Sequence, residues 1–352
     1  MKKSISILAI SVMLLIVTSA NGLEITALNK EKSKLVINPI TPKNDAFHGI
    51  EKYLSCEWWY FDAVFGNNYG AHLCIRVFSF KKWGVVQELV NIYNNSKVEE
   101  KSVTLKPLKD FQISKEFPDV KYKDKQLIKF DYDEYNKTGA WNYTISIDTG
   151  KIKLDLTFVG KSEGFTYVTS HEGWTVAQPK ADVFGTININ EKKLQVIGTG
   201  YHDHNWNFSL RTGIRATGWY WGKIMSTNYS LTWAKIKKTR LGDDTIAENL
   251  GIVSILNDGY IGIDSNNISF IASEYKFHTA RFIPTKFSLY AKQDNLEINL
   301  TFNAVNIQHT EPDFFTINYW RYFVSINGYI RVGENTDYLK DDVQIMEFIR
   351  FI

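Results

Sequence analysis

The stretch GTGYHDHNWN, residues 198–207, sets a tyrosine, two histidines, an aspartate, an asparagine and a tryptophan at six consecutive positions. Three chemistries use such a set. His202 and His204, spaced H-x-H, match a strand-borne metal pair that Asp182 or His171 would complete. Asp203 among aromatic rings is a carboxyl whose neutral form is favoured by desolvation, which makes it a proton donor. The third reading is structural, an aspartate held ionised by backbone N–H groups, with histidines bonded to neighbouring carbonyls. No third ligand stands at a fixed spacing, so the expectation is no metal and no cofactor.

An extended backbone decides which of these side chains act together. Alternation puts Tyr201, Asp203 and Asn205 on one face and His202, His204 and Trp206 on the other. The first face is expected to line a cavity. The segment EWWYFDA, residues 57–63, divides the same way, with Trp58, Tyr60 and Asp62 opposed to Glu57, Trp59 and Phe61. A third segment, GWYWGK at 218–223, places Trp219 and Trp221 on one side. The catalytic candidates are therefore Asp203, Asp62, Tyr201, His202 and His204. Trp58, Trp59, Tyr60, Asn205, Trp206, Trp219 and Trp221 are the candidates for contact with substrate.

Short strands carry these segments. Alternating runs such as KLVINPI, TISIDTGKIKLDLTFVG, LQVIGTGY, LEINLTFNAV and YFVSINGYIRV are separated by turn signals at 148–150, 190–192, 258–259 and 327–328. Sustained 3.6-residue periodicity is rare; LKDDVQIMEFI near the end is its best instance and reads equally as strand. Aromatic residues make up 14% of the chain and only 7 residues are proline, a composition of sheet-rich cores. The 352 residues allow roughly two domains. Polar and glycine residues interrupt the pattern at 209–217, which predicts domains at 40–210 and 211–352. Regularly spaced short strands over such lengths predict an all-β protein of sandwiches or barrels, two in tandem.

Charge narrows the partners. A formal net charge of +3 with 22% charged residues makes no field for nucleic acid. Lys2 and Lys3, an apolar run of about a dozen residues and the small residues of TSANG read as a secretory signal over 1–22, cleaved after Ala20. The run is short for a membrane span of about 20 residues, with an uncleaved anchor as the alternative. Either way the protein is expected to be exported or held at a membrane surface. Cys56 and Cys74 flank an expected hairpin turn at 67–70 that opposes Cys74 to Ala63, so both are expected to be free thiols.

The three motifs in this order, followed by YWRYFVSINGYIRVG at 319–333, resemble the lipocalin-like family of carotenoid 1,2-hydratases and AttH-type proteins. The resemblance covers most of residues 45–350 and implies two calycin-type, lipocalin-like barrels. The hydratase pattern Gly-Tyr-x-Asp-x-Asn is matched by Gly200, Tyr201, Asp203 and Asn205. The AttH pattern Asp-His-x-Trp is matched by Asp203, His204 and Trp206. Hydratases also use a Tyr and an Asp after the tryptophan segment; here Tyr229 has no acid beside it, and Asp243 and Asp244 stand in an apparent turn. That departure moves the acid role to Asp203 or Asp62.

Adding water to an isolated alkene needs a neutral carboxylic acid, aromatic faces for the carbocation and a held water. It needs no nucleotide or flavin, and the chain has no Gly-rich phosphate loop and no GxSxG elbow. The resemblance thus implies a hydratase of an isoprenoid chain, either a carotenoid or a membrane lipid with isoprenoid tails met at the membrane surface. Two alternatives stay open: a non-catalytic carrier or chaperone for an apolar lipid, and a pericyclase on a polyene.

Overall fold

A computed structural model describes residues 36–49, 54–81, 83–169, 172–209, 212, 215–239, 247–279, 281–310 and 318–351. The N-terminal apolar run, His171, Asp243 and Asp244 lie outside the described residues. In chain order the strands are β1 (Asn38–Pro39), β2 (Ser55–Phe65), β3 (Tyr69–Phe80), β4 (Trp83–Asn94), β5 (Lys97–Pro107), β6 (Phe111–Ile113), β7 (Asp119–Tyr122), β8 (Lys125–Phe130), β9 (Asn142–Asp148), β10 (Ile152–Gly160) and β11 (Phe165–Val168). They continue as β12 (Gly173–Ile189), β13 (Lys192–Ser209), β14 (Ala216–Met225), β15 (Tyr229–Lys238), β16 (Asn249–Ile255), β17 (Tyr260–Ile263), β18 (Ile268–His278), β19 (Arg281–Gln293), β20 (Leu296–Thr310), β21 (Asn318–Val332) and β22 (Asn335–Arg350). A short α-helix among the described residues, α1 (Tyr132–Thr138), interrupts them, capped by the Asp131 side chain and ended at Gly139. Strand accounts for 75% of this structure and helix for 5%, so the protein is all-β.

Two curled antiparallel sheets form, one a nearly closed barrel and the other a half-barrel. The first runs β5-β4-β3-β2-β13-β12-β10-β9-β8-β7-β6, with β11 and β1 added on β12; the second runs β17-β16-β15-β14-β22-β21-β20-β19-β18. The first sheet ends in sequence at Ser209 and the second begins at Ala216. LKDDVQIMEFI is strand, part of β22.

Alternation explains the ordinary strands. Along β10, Ile152, Leu154, Leu156 and Phe158 are buried in the first core while Lys153 and Asp155 face out. Strands β2 and β13 depart from this because both their faces are covered. Trp59, Phe61 and Ala63 enter the first core. Tyr60 and Tyr201 enter a separate aromatic cluster with Tyr167, Trp174, Trp221 and Leu250, which joins the two sheets. A buried aromatic ring removes roughly 150–250 Å² from water, several kcal/mol each at about 25 cal/mol/Å² as an upper estimate. That cluster fixes the sheets against one another.

The β2–β3 hairpin corrects one expectation. Its strands end at Phe65 and start again at Tyr69, so Ala63 pairs with Ala71 and Cys74 pairs with Tyr60, not Ala63. Asn68 takes the left-handed conformation that shortens the turn, and Tyr69 is buried instead of capping a loop. Cys56 opposes Phe78, four residues along β3 from Cys74, about 13 Å at 3.3 Å per residue. Neither cysteine forms a disulfide.

Candidate functional site

Strand β13 lies between β2 and β12, with Asp203 opposite Tyr60 on one side and Val176 on the other. A pocket between the two sheets is lined by the outward face of these strands and by β14 and β22. Trp58, Tyr60, Asp203 and Asn205 come from the first sheet, and Trp219, Trp221 and Glu347 from the second. The enclosed space is about 90 Å³. Trp58 and Phe208 pack with ring centres 4.7 Å apart near the half-exposed rim, and in the depth Trp221 meets Tyr60 edge-on at 5.3 Å and Tyr201 at a tilt at 5.4 Å.

Asp203 sits on the wall of this pocket, only 3% exposed. Its Oδ2 accepts hydrogen bonds from the Trp174 indole N–H at 2.9 Å and the Tyr201 hydroxyl at 2.8 Å, and its Oδ1 accepts from the Asn205 amide at 3.2 Å. These donors are neutral. Burial pushes the carboxyl up to about 7, against the opposing pull of the two Oδ2 bonds. It is a carboxylic acid that exchanges its proton near neutrality and faces aromatic rings, as a general acid requires.

Asp62 has a different setting. It is fully buried, and its carboxylate is tied to the Lys223 ammonium, to Arg321 at 3.3 Å and to the Tyr60 hydroxyl at 2.8 Å. Arg321 also reaches the Tyr60 hydroxyl at 2.7 Å and Glu347 at 2.8 Å. Glu347 further accepts from the Tyr60 and Tyr319 hydroxyls at 3.0 and 2.5 Å, and burial raises its pKa. Burial lowers the pKa of Lys223, although Asp62 pulls the other way. Four charges from β2, β14, β21 and β22 thus close into one network at the floor of the pocket. Behind it, Tyr319 and Arg321 line a polar cavity of about 330 Å³ between the sheets, with Asn91, Glu99 and His309.

The opposite face of β13 points away from the pocket. His202 is fully buried, stacked on Phe61 at 3.8 Å and hydrogen-bonded to the Tyr60 carbonyl and to Asp45, both at 2.9 Å. His204 is fully buried too, its Nε2 2.9 Å from Glu57 and its ring stacked on Trp59 at 4.5 Å. Trp206 stacks on His48 at 3.7 Å and crosses Gly173, where a Cβ would fall 2.1 Å from the indole. Trp59, Trp206, His202 and His204 therefore do not line the pocket, whereas Trp58, Tyr60, Asp203, Asn205, Trp219 and Trp221 do. Tyr201 stands behind Asp203, and Asp62 below Tyr60. Asp182 pairs with Lys161 on the exposed side of the first sheet, away from both histidines.

The sequence reading missed Trp174, Glu347, Arg321, Lys223 and Asp45. A charge inside an aromatic strand was the available signal for two of them, Lys223 in GWYWGK and Arg321 in YWRYFV.

No family model matches the chain. A stretch of 58 residues, 16% of the chain, is 41% identical to a quinolone epoxide rearrangement protein of Emericella nidulans, and the match spans 15% of that protein's length. Among solved structures, an AttH-like protein of Nitrosomonas europaea superposes over 90% of this chain and 100% of its own, with a TM-score of 0.61 and 15% identity. The chain has the AttH-type, lipocalin-like fold. Kievitone hydratase of Nectria haematococca shares it at a TM-score of 0.56 and 10% identity over 89% of this chain and 93% of that one. CghA, in complex with Sch210972, shares it at 0.53 and 9% identity over 85% and 89%.

Proposed function

We propose that this protein is a hydratase that adds water across a carbon–carbon double bond near the end of an isoprenoid chain, with Asp203 as the proton donor. The observation that carries the reading is Asp203 itself: a buried carboxyl with neutral donors only, titrating near neutrality, on the wall of an aromatic pocket. Asp203 transfers its proton to the less substituted alkene carbon, leaving a tertiary carbocation. Trp221, Trp174 and Trp219 line the pocket and would offer their ring faces to that cation. A water held by Asn205 or Glu347 attacks it, and the resulting oxonium returns a proton to Asp203, which restores the acid. The ledger is one water consumed and nothing oxidised or reduced.

The pocket's size argues for the end of a chain. About 90 Å³ is small beside the roughly 300–1,000 Å³ of sites that engulf a whole ligand. A terminal isoprenoid unit would enter, and the tail would run out past Trp58, Phe208 and Trp219. That kievitone hydratase has this fold supports the hydratase reading. The test is turnover of a terminal isoprenoid alkene in ¹⁸O-labelled and in deuterated water. The product hydroxyl should carry solvent oxygen and the adjacent carbon one solvent hydrogen. Tight binding with no label in the recovered lipid would replace the hydratase with a carrier.

A further inference from the structure

The residues of β13 that turn away from the pocket form a second constellation. His204 from β13, Glu57 from β2 and His48 from the segment before β2 present His204 Nε2, a Glu57 carboxylate oxygen and His48 Nδ1 within 4.8 Å of one another. His204 Nε2 lies 2.9 Å and His48 Nδ1 3.3 Å from Glu57 Oε1. A tetrahedral ion with bonds of about 2.1 Å holds its ligands roughly 3.4 Å apart, so small side-chain shifts would seat one. The rings are already oriented, His48 by its stack on Trp206 and His204 by its stack on Trp59.

The second ring nitrogen of His204 has a partner already in place: Nδ1 is buried and forms an ion pair with Asp45 Oδ1 at 3.4 Å. If a metal took Nε2, the proton of His204 would sit on Nδ1 and be donated to Asp45, the carboxylate–histidine–metal relay that fixes a metal-binding imidazole. Asp45 is itself anchored through its other oxygen by Tyr143 at 2.7 Å and His202 at 2.9 Å. Access is on the His48 side, whose side chain is 26% exposed.

We infer that His48, Glu57 and His204 bind one zinc ion, with Asp45 holding His204 in the ligating tautomer. Two imidazoles and one carboxylate suit zinc and leave its fourth position to water. The site lies on the far side of β13 from the pocket and clasps the segment around His48 to the barrel, so its role is to stabilise the structure.

The experiment is calorimetric titration of metal-stripped full chain with zinc chloride at pH 7. The expected result is one zinc per chain and a rise in the thermal midpoint on saturation. Cobalt(II) should give the intense visible bands of a four-coordinate site. His48→Ala, at a partly exposed position, should fold and lose at least about tenfold in affinity; Glu57→Gln should do the same. His204→Ala risks misfolding, and the two other variants stand in its place. Absence of stoichiometric binding, or binding that His48→Ala and Glu57→Gln leave intact, would overturn the assignment.

Discussion

Asp203→Asn separates the acid from the scaffold, and its consequences can be worked through in both rate and stability. Asparagine keeps the volume and can still accept from Trp174 and Tyr201 through its carbonyl oxygen, while Asn205 rotates its amide to accept from the new NH₂. The proton is what disappears. General-acid loss costs a factor of about 10²–10⁴, so the hydration rate should fall by that much with little change in ligand affinity. In the parent protein, a carboxyl near 7 is neutral in about nine molecules of ten at pH 6 and in one of ten at pH 8. Activity should therefore be flat below about pH 6 and fall roughly tenfold per unit above pH 8.

Stability should move the other way. The unfolded carboxyl titrates near 3.9 and the folded one near 7, so between these values the native state keeps a proton that the unfolded chain has lost. Its contribution is fully present below about pH 4 and lost as pH rises through 7. Three units at about 1.4 kcal/mol each set a ceiling of about 4 kcal/mol. Asp203→Asn removes this dependence. At pH 9 the variant should be the more stable protein, by up to about 4 kcal/mol or roughly ten degrees in midpoint; at pH 5 the gap should shrink to about 1.5 kcal/mol, and below about pH 4 the two should nearly coincide. His204, raised to about 9, also loses stabilisation as pH rises above 6.5, but it is common to both proteins and cancels in the difference. Scanning calorimetry from pH 5 to 9 beside a rate profile is the assay. A variant less stable at every pH would make Asp203 a structural residue, and a variant with intact turnover would remove it from the chemistry.

Two other outcomes are expected. Trp174→Phe deletes a donor to the Asp203 carboxylate, so the alkaline limb of the rate profile should shift upward by up to about one pH unit; an unmoved limb would separate that limb from Asp203. Lys223→Met leaves Asp62 with one cation fewer and should cost about 3–5 kcal/mol in denaturant unfolding, with Lys223→Met/Asp62→Asn recovering part of the loss; additive losses would mean that the two do not act as a pair.

The sequence by itself determined what depends on period and local chemistry. Strand after strand was legible because alternation has a period of two, and the same rule correctly placed Tyr201, Asp203 and Asn205 on one face and His202, His204 and Trp206 on the other. It could not say that both faces of β13 and β2 are buried, since that depends on a second sheet packing over the first. Hence Trp59 and Trp206 read as pocket residues although they lie in the other layer. The hairpin register was misread because it turned on Asn68 taking a left-handed conformation. The ion network was out of reach for a different reason. Asp62 meets Lys223 and Arg321 across 161 and 259 positions, and Tyr60 meets Glu347 across 287. A charge in a strand reads as solvated until its partner is known, and these partners are supplied only when the two sheets close over β2. Asp203 shows the division most plainly: its residue type and face were written in the chain, but only tertiary burial raises its carboxyl to about 7 and makes it an acid at neutral pH.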